Sequence, residues 1–178
     1  LLNTAGAFLY SKQNDMINIL IPTDFTASSL QLAEQAVLAL ETKNATIILF
    51  HAFELPTSEY ELLAPGRSKP WASLVTDNFR QLCKQFKDQN PKAVNKICFK
   101  FMEGSSAPLF RNFVDANEID IIVCPDHFQH VPVHKQSVDP RPLFKKSGIR
   151  VLRELGVRKR ETGYQEVEMP LQVAMAAN

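Results

Sequence analysis

At 178 residues, with 45% apolar and 22% charged side chains, the chain has the size and make-up of one globular domain that can bury its own core. A formal charge of +1 speaks against nucleic acid or a membrane surface as the main partner, since either normally demands a concentrated basic face. The 3 cysteines (Cys83, Cys98 and Cys124) are far apart and suit the reduced thiols of a cytoplasmic protein better than a disulfide framework.

No stretch approaches the roughly 20 apolar residues needed to cross a bilayer. Leu1 to Tyr10 lacks a basic leader and is followed by the polar Ser11 to Asp15, which makes a signal peptide a poor reading. Residues 1–15 are expected to be an extension, 16–155 the folded domain and 156–178 a tail without a firm period. Ile17 to Pro22 is short, β-branched and almost continuously apolar, as a buried parallel strand requires. Thr23 to Thr26 supplies turn chemistry, and Thr26 or Ser28 can cap the helix that Leu30, Ala33, Val37, Leu38 and Leu40 mark out. Asn44 closes it, and Ala45 to Phe53 forms a second strand.

Glu54 to Trp71, with three prolines and a glycine, reads as a long loop. Leu74, Val75, Phe79, Leu82, Cys83 and Phe86 restore a helical period, which ends at Asn90 and Pro91; Lys96 to Met102 then alternates as a strand. Gly104, Ser105 and Ser106 lead into a helix with Leu109, Phe110, Phe113 and Val114 on one face, the serines serving as caps. Ile119 to Cys124 is another buried strand, stopped by Pro125. Pro132, Pro140 and Pro142 exclude a long helix over 126–147, although a short one beginning near Asp139 tolerates the later prolines in its first turn. Ile149 to Leu152 makes a fifth strand. Strands alternating with crossover helices predict a doubly wound α/β fold, a parallel sheet with helices on both faces.

Ile19 to Ser29, His51 at the end of the second strand, Gly104 to Phe113, Asp120 to Cys124, and Ser137 with Phe144 to Leu152 together resemble the universal stress protein family in order and spacing over residues 17–153. The resemblance implies a five-stranded parallel sheet of the adenine-nucleotide-hydrolase-like kind. In nucleotide-binding members a loop after the fourth strand runs G-x-x-G, about nine residues, then G-S or G-T, because glycines let main-chain amides approach the phosphates. Here the glycine positions fall on Pro125, Phe128 and Gln136, and only Ser137 agrees with the pattern. Pro125 removes an amide, Asp126 repels phosphate and Phe128 adds bulk, so the family's phosphate site is expected to be absent. Pro22, Thr23 and Asp24 stand where the resemblance places the adenine and ribose end, which leaves them and Ser137 as the residual nucleotide positions.

All 4 histidines (His51, His127, His130 and His134) project to the carboxyl edge of the sheet. His127, His130 and His134 are candidate transition-metal ligands, imidazoles three or four residues apart being able to converge. No nucleophile stands beside a recognisable base, and neither a G-x-S-x-G elbow nor a P-loop is present, so no enzyme is expected. A Cys124–His127 pair reads as packing, and the basic run Arg141 to Arg160 as a solvated edge without interleaved aromatics for base stacking. The last strand, Ile149 to Leu152, is the expected pairing edge of a homodimer, with the tail segment Pro170 to Met175 as another cover. The expectation is a regulatory or interaction protein with an unknown protein partner and no cofactor. The alternatives are a small-ligand, ATP or AMP binder with a rebuilt loop, and a histidine-based metal module.

Overall fold

A computed structural model describes residues 16–63, 65, 69, 71 and 73–156. The expected extension 1–15 and all of the expected tail except Gly156 lie outside the described residues. The elements in chain order are β1 (Asn18–Pro22), α1 (Ala27–Leu40), β2 (Ala45–Phe53), α2 (Glu59–Leu63), α3 (Asp77–Gln89), β3 (Val94–Glu103), α4 (Ala107–Ala116), β4 (Ile121–Val123), β5 (Ser137–Val138), α5 (Arg141–Lys145) and β6 (Val151–Leu152).

The sheet runs β3-β2-β1-β4-β6, all parallel, which is the expected doubly wound arrangement. Successive residues of β1 serve opposite faces, as strand geometry dictates. Ile19 and Ile21 pack with Leu30, Ala33 and Val37 of α1 and Phe79, Cys83 and Phe86 of α3. Leu20 packs on the other face with Phe110 and Val114 of α4 and Leu143 and Phe144 of α5. Continuous apolar strands are thus buried from both sides.

Helix starts follow their caps. Thr26, not Ser28, is the first cap, its hydroxyl oxygen accepting from Ser29 N–H at 3.4 Å. Thr76 caps α3, accepting from Phe79 N–H at 3.2 Å, so Leu74 and Val75 precede the helix although their spacing suggests membership. Ser106 caps α4 as expected.

The structure departs from the sequence reading in two places. The stretch read as pure loop, 54–71, contains the one-turn α2. A sixth strand, β5, also joins the sheet, antiparallel to β2 through Ala52↔Val138 and Phe53↔Ser137. Its physical reason is length: β1 ends opposite Phe50, so the last residues of β2 have an open side, and the Glu54 N–H bond to the Gln136 carbonyl at 2.7 Å extends the pairing that fills it.

Candidate functional site

The crevice at the carboxyl ends of β1 and β4 lies where chain direction diverges: β1 leads to α1 on one face, while β4 leads through the loop 124–136 to α5 on the other. Ligands of doubly wound sheets bind at such a switch point. The edge splits into two parts, one closed and one open.

His51 organises the closed part. It is buried at 4% exposure near the end of β2. Its Nδ1–H donates to the Thr23 carbonyl at 2.6 Å, because a carbonyl can only accept, and this fixes the tautomer. Nε2 is then the acceptor, and Ser137 Oγ–H donates to it at 2.9 Å. Ser137 Oγ in turn accepts from His134 N–H at 3.0 Å, and His134 Nδ1 accepts from Gln136 N–H at 3.1 Å. Burial holds the His51 pKa below the ordinary histidine value, against the opposing Thr23 hydrogen bond, with His130 also lowering it. His130 is itself lowered by burial, and its ring lies 6.2 Å from that of His51.

Aromatic rings pave the space around this histidine. Phe25 sits 5.5 Å and Phe53 4.7 Å from His51, centroid to centroid. Trp71 stacks flat on Phe101 at 5.1 Å. Phe25 reaches its place from a left-handed backbone with φ 61, a conformation that costs a bulky residue on the order of 1 kcal/mol or more and that ring packing offsets.

The loop amides are spent locally. Besides those of His134 and Gln136, Phe128 N–H donates to the Pro125 carbonyl at 2.9 Å and Ser137 N–H to the His134 carbonyl at 2.9 Å. Pro125 has no amide, and no glycine occurs between Cys124 and Ser137. A phosphate cradle needs amides that point outward together.

The open part is a cavity of about 280 Å³ lined by Asp24, Ser28, Gln35, Pro125, His127 and Phe128 among others. Of the residual nucleotide positions, only Asp24 faces it. Pro22 is buried in β1, and Thr23 Oγ1 is buried against Ser29 Oγ at 2.8 Å while accepting from Phe25 N–H at 2.9 Å. Asp24 Oδ1 accepts from Thr26 N–H at 3.1 Å and from Thr26 Oγ1–H at 2.6 Å.

Among the described residues no three His, Cys, Asp or Glu side chains stand together as metal ligands, so the structure does not gather His127, His130 and His134 into one donor set. Cys124 is buried, and burial pushes its thiol up to about 11, which keeps it protonated rather than paired with His127 as a nucleophile. Sequence reading missed the His51–Ser137 contact because 86 residues separate the pair. A serine hydroxyl on a neutral imidazole is the arrangement that activates nucleophiles, yet Ser137 is held in β5 and lines neither crevice beside it.

The universal stress protein family profile matches residues 16–130. The chain belongs to the universal stress protein family. A search of curated proteins matches none. Among solved structures, the universal stress protein UspA from Lactobacillus plantarum is similar at 16% identity and TM-score 0.50, covering 77% of this chain and 96% of its own. A universal stress family protein from Burkholderia pseudomallei is similar at 16% identity and TM-score 0.41, covering 78% and 96%. A universal stress protein in complex with cAMP is similar at 17% identity and TM-score 0.40, covering 79% and 98%. At these identities the likeness to UspA speaks for the fold alone. The last of the matched residues, His130, lies inside the 124–136 loop, so the family match covers β1 through β4 and stops before Ser137.

Proposed function

We propose that this universal stress protein is a cytoplasmic, homodimeric regulatory or interaction protein that has no catalytic activity and does not take ATP through the family's phosphate loop. One observation carries the reading. Ser137, the sole residue that keeps the family's loop pattern, is drawn into the sheet edge between His51 and His134. The amides of Phe128, His134, Gln136 and Ser137 donate within the loop instead of toward a ligand. Binding a triphosphate there would require breaking the β5 pairing and leaving His51 Nε2 without its donor, both of which oppose it.

The dimer is supported by β6, which pairs with β4 through Ile122↔Val151 and Val123↔Leu152 and forms the end of the sheet among the described residues. The strand is shorter than the expected Ile149 to Leu152, with Ile149, Val151 and Leu152 half-buried. An apolar edge of this kind is stabilised when a second edge pairs with it. The unidentified protein partner is then met by a two-fold assembly.

Calorimetric titration of purified protein with ATP, ADP and AMP, with and without magnesium, tests the reading. No heat at millimolar nucleotide is the expected outcome. Binding at micromolar strength would sink it and make the protein a nucleotide-responsive switch.

A further inference from the structure

We propose that the crevice between the ends of β1 and β4 binds a neutral ligand carrying a vicinal diol, a free sugar or a nucleoside, and disfavours phosphorylated forms. The inference leans on the reading above only in the second half of that statement. The cavity holds about 280 Å³, near the lower end of small-ligand sites (about 300–1,000 Å³), which suits one sugar ring or one nucleoside.

Its lining sets the chemistry. Asp24 is half-buried with Oδ1 committed to Thr26, while Oδ2 makes no hydrogen bond among the described residues. A carboxylate oxygen with free lone pairs accepts from adjacent hydroxyls. Gln31, Gln35 and Gln129 line the same space and offer amides, each with both donors and an acceptor, the natural complement of hydroxyl groups that are also both. Phe128, half-buried with its ring packed against the core beneath, and the buried Pro125 supply an apolar wall for the carbon face of a sugar or base.

The electrostatics exclude phosphate. No lysine or arginine lines the cavity among the described residues. The positive end of α1 is already answered by Asp24, through the Thr26 amide and hydroxyl. A phosphate placed here would meet a carboxylate without a cation to compensate it.

The test is calorimetry on the full chain at neutral pH with D-ribose, D-glucose, adenosine, the diol-free dideoxy analogue of adenosine, and AMP. The expected result is binding of at least one of the three neutral diols, ribose or glucose marking a free-sugar site and adenosine a nucleoside site. For a nucleoside site, removing the diol or adding the phosphate weakens binding about tenfold or more. Asp24→Asn keeps the Oδ1 contacts and is expected to weaken the diol about tenfold with an unchanged melting curve. Gln35→Ala, on the exposed face of α1, weakens it independently of Asp24. No heat from any of the three diols at millimolar concentration overturns the inference and leaves the reading against ATP standing. AMP binding more tightly than adenosine overturns both. Diol binding that is indifferent to both substitutions places the ligand elsewhere and also overturns the inference.

Discussion

His51 is a titratable group inside a hydrophobic edge, and both its ring nitrogens are satisfied without a second charge. Because burial lowers its folded pKa, the unfolded chain binds more protons in the window between the two values. Stability therefore rises with pH there, is fully present above the unfolded value of about 6.5, and is lost as pH falls through the folded pKa. His130 contributes with the same sign. Urea unfolding curves are expected to be flat above neutrality and to shift to lower midpoints in mild acid, and His51→Gln combined with His130→Gln should flatten that dependence. Ser137→Ala removes the donor to His51 and the acceptor of His134 N–H. It is expected to cost about 1–3 kcal/mol, measured by the same unfolding curves. A fluorophosphonate probe should leave Ser137 unlabelled if the pair acts as a latch, whereas stoichiometric labelling would show a nucleophile. The imidazole and hydroxyl were visible as residues in the sequence, but their meeting was not. Sequence reading recognises a nucleophile by a local motif, and this pair is closed by strand β5 folding back on β2.

Elements with a strong period or a buried run were legible, and their ends were set by single side chains. β2 spans Ala45–Phe53 as its apolar run suggests, whereas α3 begins after Thr76 because a cap outweighs the spacing of Leu74 and Val75. Thr76→Ala is expected to cost about 1 kcal/mol. Gly104 holds φ +110 just before α4 while its N–H donates to the Phe53 carbonyl at 2.7 Å, and an added Cβ would meet Leu109 Cδ2 at 2.8 Å. The leucine end can move away but the backbone angle cannot, so Gly104→Ala should destabilise by about 1–3 kcal/mol, read as a fall in the denaturation midpoint. Phe50 is fully buried between Phe110, Phe113 and Phe144, and Phe50→Ala is expected to cost about 3–5 kcal/mol. The two-residue β5 and one-turn α2 escaped the sequence because neither is long enough to display a period.

For the whole molecule, the two-layered core and the strand order make a rigid platform with one long edge at β3 and a short one at β6. Sedimentation of the full chain is expected to show a dimer, and Val151→Asp at the short edge is expected to shift it to monomer while the far-UV spectrum is kept. A dimer indifferent to that substitution would place the interface elsewhere. No helix among the described residues is long and apolar enough to cross a membrane, as the charge pattern leads one to expect.

The sequence by itself determined the doubly wound sheet, its family and the lack of glycines after β4, because periodicity, caps and glycine positions are local properties of the chain. Only the tertiary structure decided what the residual site residues do. Thr23 and Ser137, 114 positions apart by their numbers (137 minus 23), are joined through one imidazole, while Asp24, next to Thr23, turns to a different cavity. Whether neighbours in sequence share a site depends on where β1 ends and how the loop returns to β2. Those are matters of long-range pairing, and no local pattern encodes them.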